Sequence, residues 1–242
     1  MDYADQERQD QTRLPDSEGG AACPLTPMQQ GMLFASLDAP PDTGAYLQQV
    51  VCVLREPLDM DLLISCWEHL CERHEILRAR FAWEGLLEAV QVFEPSVRIP
   101  LTRLDWSAVP EAGREARLRS FLREDRARGM DFTRAPLHRL ACIRLGDTDH
   151  RVVWTVHHAL LDESITVAVR EVFTEYDLRR AGKDAPLPAG ASYREFARFV
   201  REQPLDRAEA FWRQRLAGFS EPNEIRLPPG GAVPEAALNP AT

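Results

Sequence analysis

Apolar positions recur at two spacings along this chain, and the changes from one to the other mark out its elements. A helix is expected from Thr26: Thr26 suits the N-cap, Pro27 the first turn, and Gln29 stands at the capping-box spacing. Met28, Met32 and Leu33 would form its apolar side. After the loop Pro40-Pro41-Asp42-Thr43-Gly44, the stretch from Tyr46 to Leu54 is β-rich. A long amphipathic helix follows from about Asp59 to His74, with Leu62, Leu63, Cys66, Trp67 and Leu70 at helical spacing. Strands are expected at Leu77 to Trp83, Leu86 to Phe93 and Ile99 to Asp105. A charged helix over roughly 110–128 leaves a narrow stripe of Ala116, Leu118, Phe121, Leu122 and Asp125. Two more strands, Leu137 to Leu145 and Arg151 to His157, are joined by the turn Gly146-Asp147-Thr148-Asp149. A helix over about Ser164 to Ala181 carries Ile165, Val169, Val172, Phe173 and Tyr176, and two shorter helices follow at about 192–202 and 205–217.

Composition narrows what such a chain does. Of 242 residues, 44% are hydrophobic and 28% charged, with 38 acidic against 29 basic side chains for a net charge of −9. That is too apolar for a disordered chain, and the acidic balance argues against binding a phosphate backbone without regard to sequence. No apolar run approaches the roughly 20 residues of a membrane-spanning helix, and the start MDYADQERQD has no secretory h-region. The expectation is a soluble cytoplasmic protein. Residues 1–22 read as a disordered polar leader with six acids against two bases, and the Pro/Gly/Ala-rich residues 227–242 as a flexible tail. Five cysteines without a C-x-x-C pair suit neither a disulfide framework nor a zinc knuckle, so Cys66 and Cys71 read as core thiols. There is no G-x-G-x-x-G and no Walker loop, which excludes nucleotide binding by those devices.

The most informative stretch is Trp154-Thr155-Val156-His157-His158-Ala159-Leu160-Leu161-Asp162-Glu163-Ser164, a strand, a short turn and the start of a helix. Adjacent strand residues face opposite sides, so His157 and His158 belong to different environments. A metal site of His157, His158 and Asp162 is disfavoured because coordination needs convergent ligands. Two readings stay open: a plain strand end with Asp162 capping the helix, or a histidine that reaches a substrate as general base or positioning group.

Here the sequence resembles a known family. His157-His158-Ala159-Leu160-Leu161-Asp162 matches the HHxxxD core of nonribosomal peptide synthetase condensation domains and of the wider CoA-dependent acyltransferase superfamily. Leu25-Thr26-Pro27-Met28-Gln29-Gln30-Gly31-Met32-Leu33-Phe34 resembles the family's opening helix, and Arg73-His74-Glu75-Ile76-Leu77-Arg78-Ala79-Arg80-Phe81 its RHExLRxxF motif. Phe132 to Leu137 resembles the segment before its central strands; Tyr193 to Ala197 and Phe211 to Gly218 resemble helices of its second lobe. The motifs keep the family's order from about 24 to 220.

The resemblance implies a chloramphenicol-acetyltransferase-like α/β lobe, a mixed sheet flanked by helices. It divides the chain into the leader 1–22, a first lobe 23–182, helices 183–226 that begin a second lobe, and the tail 227–242. The implied activity is amide-bond formation between a carrier-bound acyl or peptidyl thioester and a carrier-bound amino acid, as in antibiotic and other secondary-metabolite synthetases. No metal and no directly bound cofactor are implied. The phosphopantetheine arms arrive on donor and acceptor peptidyl carrier proteins, which with other synthetase domains are the implied partners, rather than nucleic acid or membrane. His158 carries the catalytic role. His157 has a structural one, and Asp162 an ion pair with Arg73 or Arg78. Glu163 either replaces the Gly that the family usually has there or replaces two residues in a turn one shorter, adding a carboxylate beside the histidine or at the helix N-terminus. An epimerisation-type domain shares HHxxxD, but the opening and RHE motifs favour condensation. A non-catalytic module that recruits carrier proteins or tailoring enzymes is the alternative from another class.

Overall fold

A computed structural model describes residues 21–40, 42–185 and 190–220 of the chain. Two compact units divide it, residues 1–201 and 202–242. The expected leader lies outside the described residues except at its last two positions, and the tail at 227–242 lies outside them entirely.

The first unit is built on two sheets. Strands β2 (Leu47–Leu54), β5 (Leu101–Asp105), β6 (His138–Gly146) and β7 (Asp149–His157) form a mixed four-stranded sheet in the order β2-β7-β6-β5. Its neighbours are antiparallel except β5 and β6, which run parallel. That parallel pair needs a crossover, and helix α3 (Glu111–Ala127) lies between the two strands in the chain. A second, antiparallel sheet has the order β1-β4-β3, from β1 (Ala21–Pro24), β3 (Ala79–Ala82) and β4 (Val90–Phe93).

Alternation along β6 and β7 distributes the core. Leu140, Cys142, Val152, Trp154 and Val156 join the main cluster with α2 (Met60–Arg73) and α4 (Ile165–Arg180), through Leu63, Cys66, Trp67, Leu70, Ala168 and Val172. Each large apolar side chain buried there contributes about 1.5–3 kcal/mol relative to exposure. On the opposite face Ala141, Ile143, Leu145 and Val153 meet the α3 stripe of Leu118, Phe121 and Leu122. Within that apolar layer Asp125 is buried, held by Arg139 Nε at 2.6 Å, Thr155 Oγ1 at 2.6 Å and Gln49 Nε2 at 2.9 Å. Burial works to raise the Asp125 pKa, but hydrogen bonds from Arg139, Thr155 and Gln49 outweigh it and hold the group below the ordinary carboxylate value.

Helix α1 (Pro27–Asp38) starts with the expected capping box: the Thr26 hydroxyl accepts from the Gln29 N–H, and Gln29 Oε1 from the Thr26 N–H. Met28, expected on its apolar side, is largely exposed; Leu33 and Gln29 are the buried residues. The strand expected from Leu86 begins only at Val90, and a 3-10 turn at Glu75–Arg78 precedes β3. The first compact unit includes residues on both sides of position 182. Helix α5 (Tyr193–Arg201) belongs to it, because Glu75 accepts hydrogen bonds from Ser192 Oγ and from the N–H and Nε of Arg194, all at 3.0 Å. The approach to α5 is close enough that a Cβ on Gly190 would collide with the Arg73 carbonyl oxygen. In the second unit, α6 (Leu205–Arg215) carries Phe211 and Trp212 in edge-on contact. Among the described residues no helix is long and apolar enough to cross a membrane.

Candidate active site

Strand β7 ends at His157, and the turn that follows is held at every step. The His158 N–H donates to the Tyr46 carbonyl at 2.8 Å, and the Leu160 N–H to the His157 carbonyl at 3.0 Å. The Ala159 N–H donates to His157 Nδ1 at 3.2 Å, and the Ala159 carbonyl accepts from Gln29 Nε2 at 3.1 Å. Tyr46 has φ +57°, a region an aromatic residue rarely occupies, and its carbonyl is the one that receives the His158 N–H.

The two histidines then part. His157 is buried, and because its Nδ1 accepts the Ala159 N–H its proton sits on Nε2, facing Ser36 Oγ at 3.1 Å. The Ser36 hydroxyl in turn donates a hydrogen bond to the Met32 carbonyl at 2.7 Å. Burial, with a smaller contribution from His158, pushes the His157 pKa down to about 4, so the ring is neutral at physiological pH. His158 is half-buried, and its Nδ1 lies 2.8 Å from the Leu161 carbonyl. A carbonyl only accepts, so Nδ1 carries the proton and Nε2 keeps its lone pair. The side chain lines a cavity of about 530 Å³ between the first turns of α1 and the inner face of α5, whose walls include Met32, Leu160, Tyr193 and Phe196. Burial raises the Tyr193 pKa to about 12, so its hydroxyl stays protonated there.

The remaining expected site residues take other partners. Asp162 is exposed, and its carboxylate accepts the Ser164 N–H at 3.0 Å, a bond that lowers its pKa. Among the described residues neither Arg73 nor Arg78 reaches it, so the expected ion pair is absent. Arg73 instead bridges α2 to α4 through Glu175 at 3.0 Å and Glu171 at 3.1 Å. Arg78 gives its guanidinium to the backbone carbonyls of Cys71, Glu72 and Glu94. The physical reason is proximity: Glu171 and Glu175 lie one turn apart on the helix that packs against α2, and Arg78 folds over the end of α2 itself. Glu163 is exposed and is not among the residues lining the His158 cavity. Its backbone lies outside the left-handed region, so this turn does not need a glycine there.

Sequence reasoning missed Gln91, Ser36, Tyr46 and the positional role of Gln29. The one available signal was Gln91 inside the apolar run Val90-Gln91-Val92-Phe93, since a polar side chain buried in such a run must find a partner.

A mixed sheet with helices on both faces, delivering a histidine from a strand end into a cavity, defines a chloramphenicol-acetyltransferase-like lobe. The sequence profile of the condensation domain matches residues 21–237, and this chain belongs to the condensation domain family of nonribosomal peptide synthetases. It is 38% identical over 199 residues to a linear gramicidin synthase polypeptide of Brevibacillus parabrevis, an alignment covering 82% of this chain and 4% of that protein. Among solved structures it is similar to the SgcC5 protein of Streptomyces globisporus, at TM-score 0.68 and 27% identity over 81% of this chain and 46% of that one. It is also similar to the complex of the X-domain and OxyB from teicoplanin biosynthesis, at TM-score 0.67 and 25% identity, covering 89% of this chain and 47% of that one. The chain thus spans a small part of the curated relative and just under half of each solved chain.

Proposed function

We propose that this lobe supplies the histidine of an amide-forming condensation site, taking an acyl or peptidyl thioester and an amine, each delivered on the phosphopantetheine arm of a carrier protein. The observation that carries the reading is the state of His158. With Nδ1 committed to Leu161, Nε2 is left as an acceptor in a cavity lined mainly by apolar side chains. The amine nitrogen attacks the thioester carbonyl carbon, the C–N bond forms, and the C–S bond breaks with sulfur leaving as thiolate. The proton lost by nitrogen passes to Nε2 and on to the sulfur, so the imidazole ends as it began. His157, Arg73 and Arg78 support the turn and the helices around it, and Asp162, which also lines the cavity, holds the start of α4 through the Ser164 N–H.

The test supplies loaded donor and acceptor carrier proteins to the chain joined to a complementary second lobe. Dipeptidyl product on the acceptor carrier is expected. Its absence, both with the native residue and with Glu163→Gly, would overturn the reading. A second reading, a non-catalytic module that recruits a tailoring enzyme, draws on the similarity to the X-domain. It requires the same assay to give no product while a partner protein binds.

A further inference from the structure

We propose that Gln29 is a positioning residue for His158: it borders the same cavity, but its amide atoms are taken by protein partners, so it acts through the main chain of the turn; this rests on the role of His158 proposed above. Gln29 and Gln91 are 2% and 0% exposed, and their side-chain amides pair reciprocally, each Nε2 donating to the other's Oε1 at 3.1 Å. Three groups outside the pair force both amides into one orientation. The carbonyls of Ala159 and Pro24 only accept and must face nitrogen, at 3.1 Å and 3.3 Å. The Thr26 N–H only donates and must face oxygen, at 3.0 Å. The pair therefore has no alternative flip, and it ties α1, β1 and β4 to the Ala159–Leu160 peptide group, one residue past His158.

The geometry has a direct consequence for the ring. The His158 main chain is gripped from one side by Tyr46 and at the next residue by Gln29, while its side chain closes onto Leu161 three residues on. If the Ala159 carbonyl swings free, the Leu161 carbonyl shifts relative to Nδ1, and the bond that selects the tautomer weakens. Gln29 so decides whether the nitrogen presented to the cavity is the one that accepts a proton.

Two substitutions separate this role from helix capping. Gln29→Leu removes both functions. Gln29→Glu keeps the capping-box oxygen but lacks the amide donor until the buried acid is protonated, when its O–H can take over the Ala159 carbonyl. We expect Gln29→Leu to lower kcat by roughly 10- to 100-fold, with KM nearly unchanged. Gln29→Glu should melt below wild type, increasingly so as pH rises because the buried acid is charged only at a cost, and should recover activity, relative to wild type at the same pH, as pH falls from about 8 to about 6. The other groups near the amide pair are silent over that range: Cys23 and Tyr193 are raised above their ordinary values, His157 is lowered to about 4, Asp162 and Glu75 are lowered also, and the Arg194 and Arg201 guanidiniums stay charged. A flat ratio with kcat within about twofold of wild type would overturn the proposal.

A second readout does not need turnover. Nitrogen-15 spectra of the His158 ring should show a protonated Nδ1 and a bare Nε2 in the wild type, and a mixture of tautomers in Gln29→Leu; unchanged ring signals would overturn the proposal. Ring signals that respond while the wild type forms no product would reject the proposed reaction and leave the positioning role standing.

Discussion

The two sides of the β7 terminus make opposite use of the same residue type. On the α3 side, His157 is buried, both ring nitrogens have partners, and its pKa is depressed to about 4. On the other side, His158 spends one nitrogen on Leu161 and presents its ring to a cavity. The difference shows that consecutive histidines in a motif need not share chemistry. One is a polar core residue whose hydrogen bonds shape the turn, and the other stands at the wall of a cavity with one nitrogen bonded back to the turn.

The largest expected effect lies on the open side. His158→Ala should cut turnover by about 10²- to 10⁴-fold, the range for a lost acid–base group. Its urea midpoint should stay near wild type, since the ring is half-buried and supports no other element. A matching loss of stability would erase the contrast between the sides. His157→Ala should do the reverse and cost about 2–4 kcal/mol in chemical denaturation, because it opens a hole and leaves the Ala159 N–H unpartnered.

The closed side also has a pH signature. His157 and the fully buried His138 both have folded pKa values of about 4 against 6.5 for the free residue. The unfolded chain therefore binds protons that the folded chain refuses. Stability is intact above about pH 6.5 and falls as pH drops toward 4, by up to about 3 kcal/mol per histidine. Denaturation at stepped pH checks this, and His157→Gln should flatten part of the slope.

Smaller effects belong to the rim of the turn. Asp162→Ala should cost about 1 kcal/mol in thermal unfolding, the usual value of a carboxylate that bonds a helix-start N–H. Smallest of all, Glu163→Gly should leave turnover within about twofold, since this side chain stands outside the cavity and its backbone is unstrained.

Periodicity and capping made much of this lobe readable in advance. The capping box at Thr26, the α2 face of Leu63, Cys66, Trp67 and Leu70, and the β6–β7 hairpin all follow from local rules. What escaped depended on distant partners. Nothing near Glu175 marks it as buried, because its cover comes from His69 and Arg73 on another helix. Likewise β1 is four residues long with no alternation, and it is a strand because β4 lies beside it. Within the site, the histidine pair was legible from the motif, whereas the Gln29–Gln91 pair was not: two glutamines 62 positions apart read as surface until the fold brings them together.

The carboxylate of Asp125 has one more consequence. Gln49 and Arg139 both stand opposite Thr155, so three residues form a row across β2, β7 and β6, and all three reach the same buried charge. Sliding β7 by one position would swing its member of the row to the opposite face and weaken the cover of that charge. Asp125 thus proofreads strand alignment, and the strand it checks is the one whose last residue hands the chain to His158.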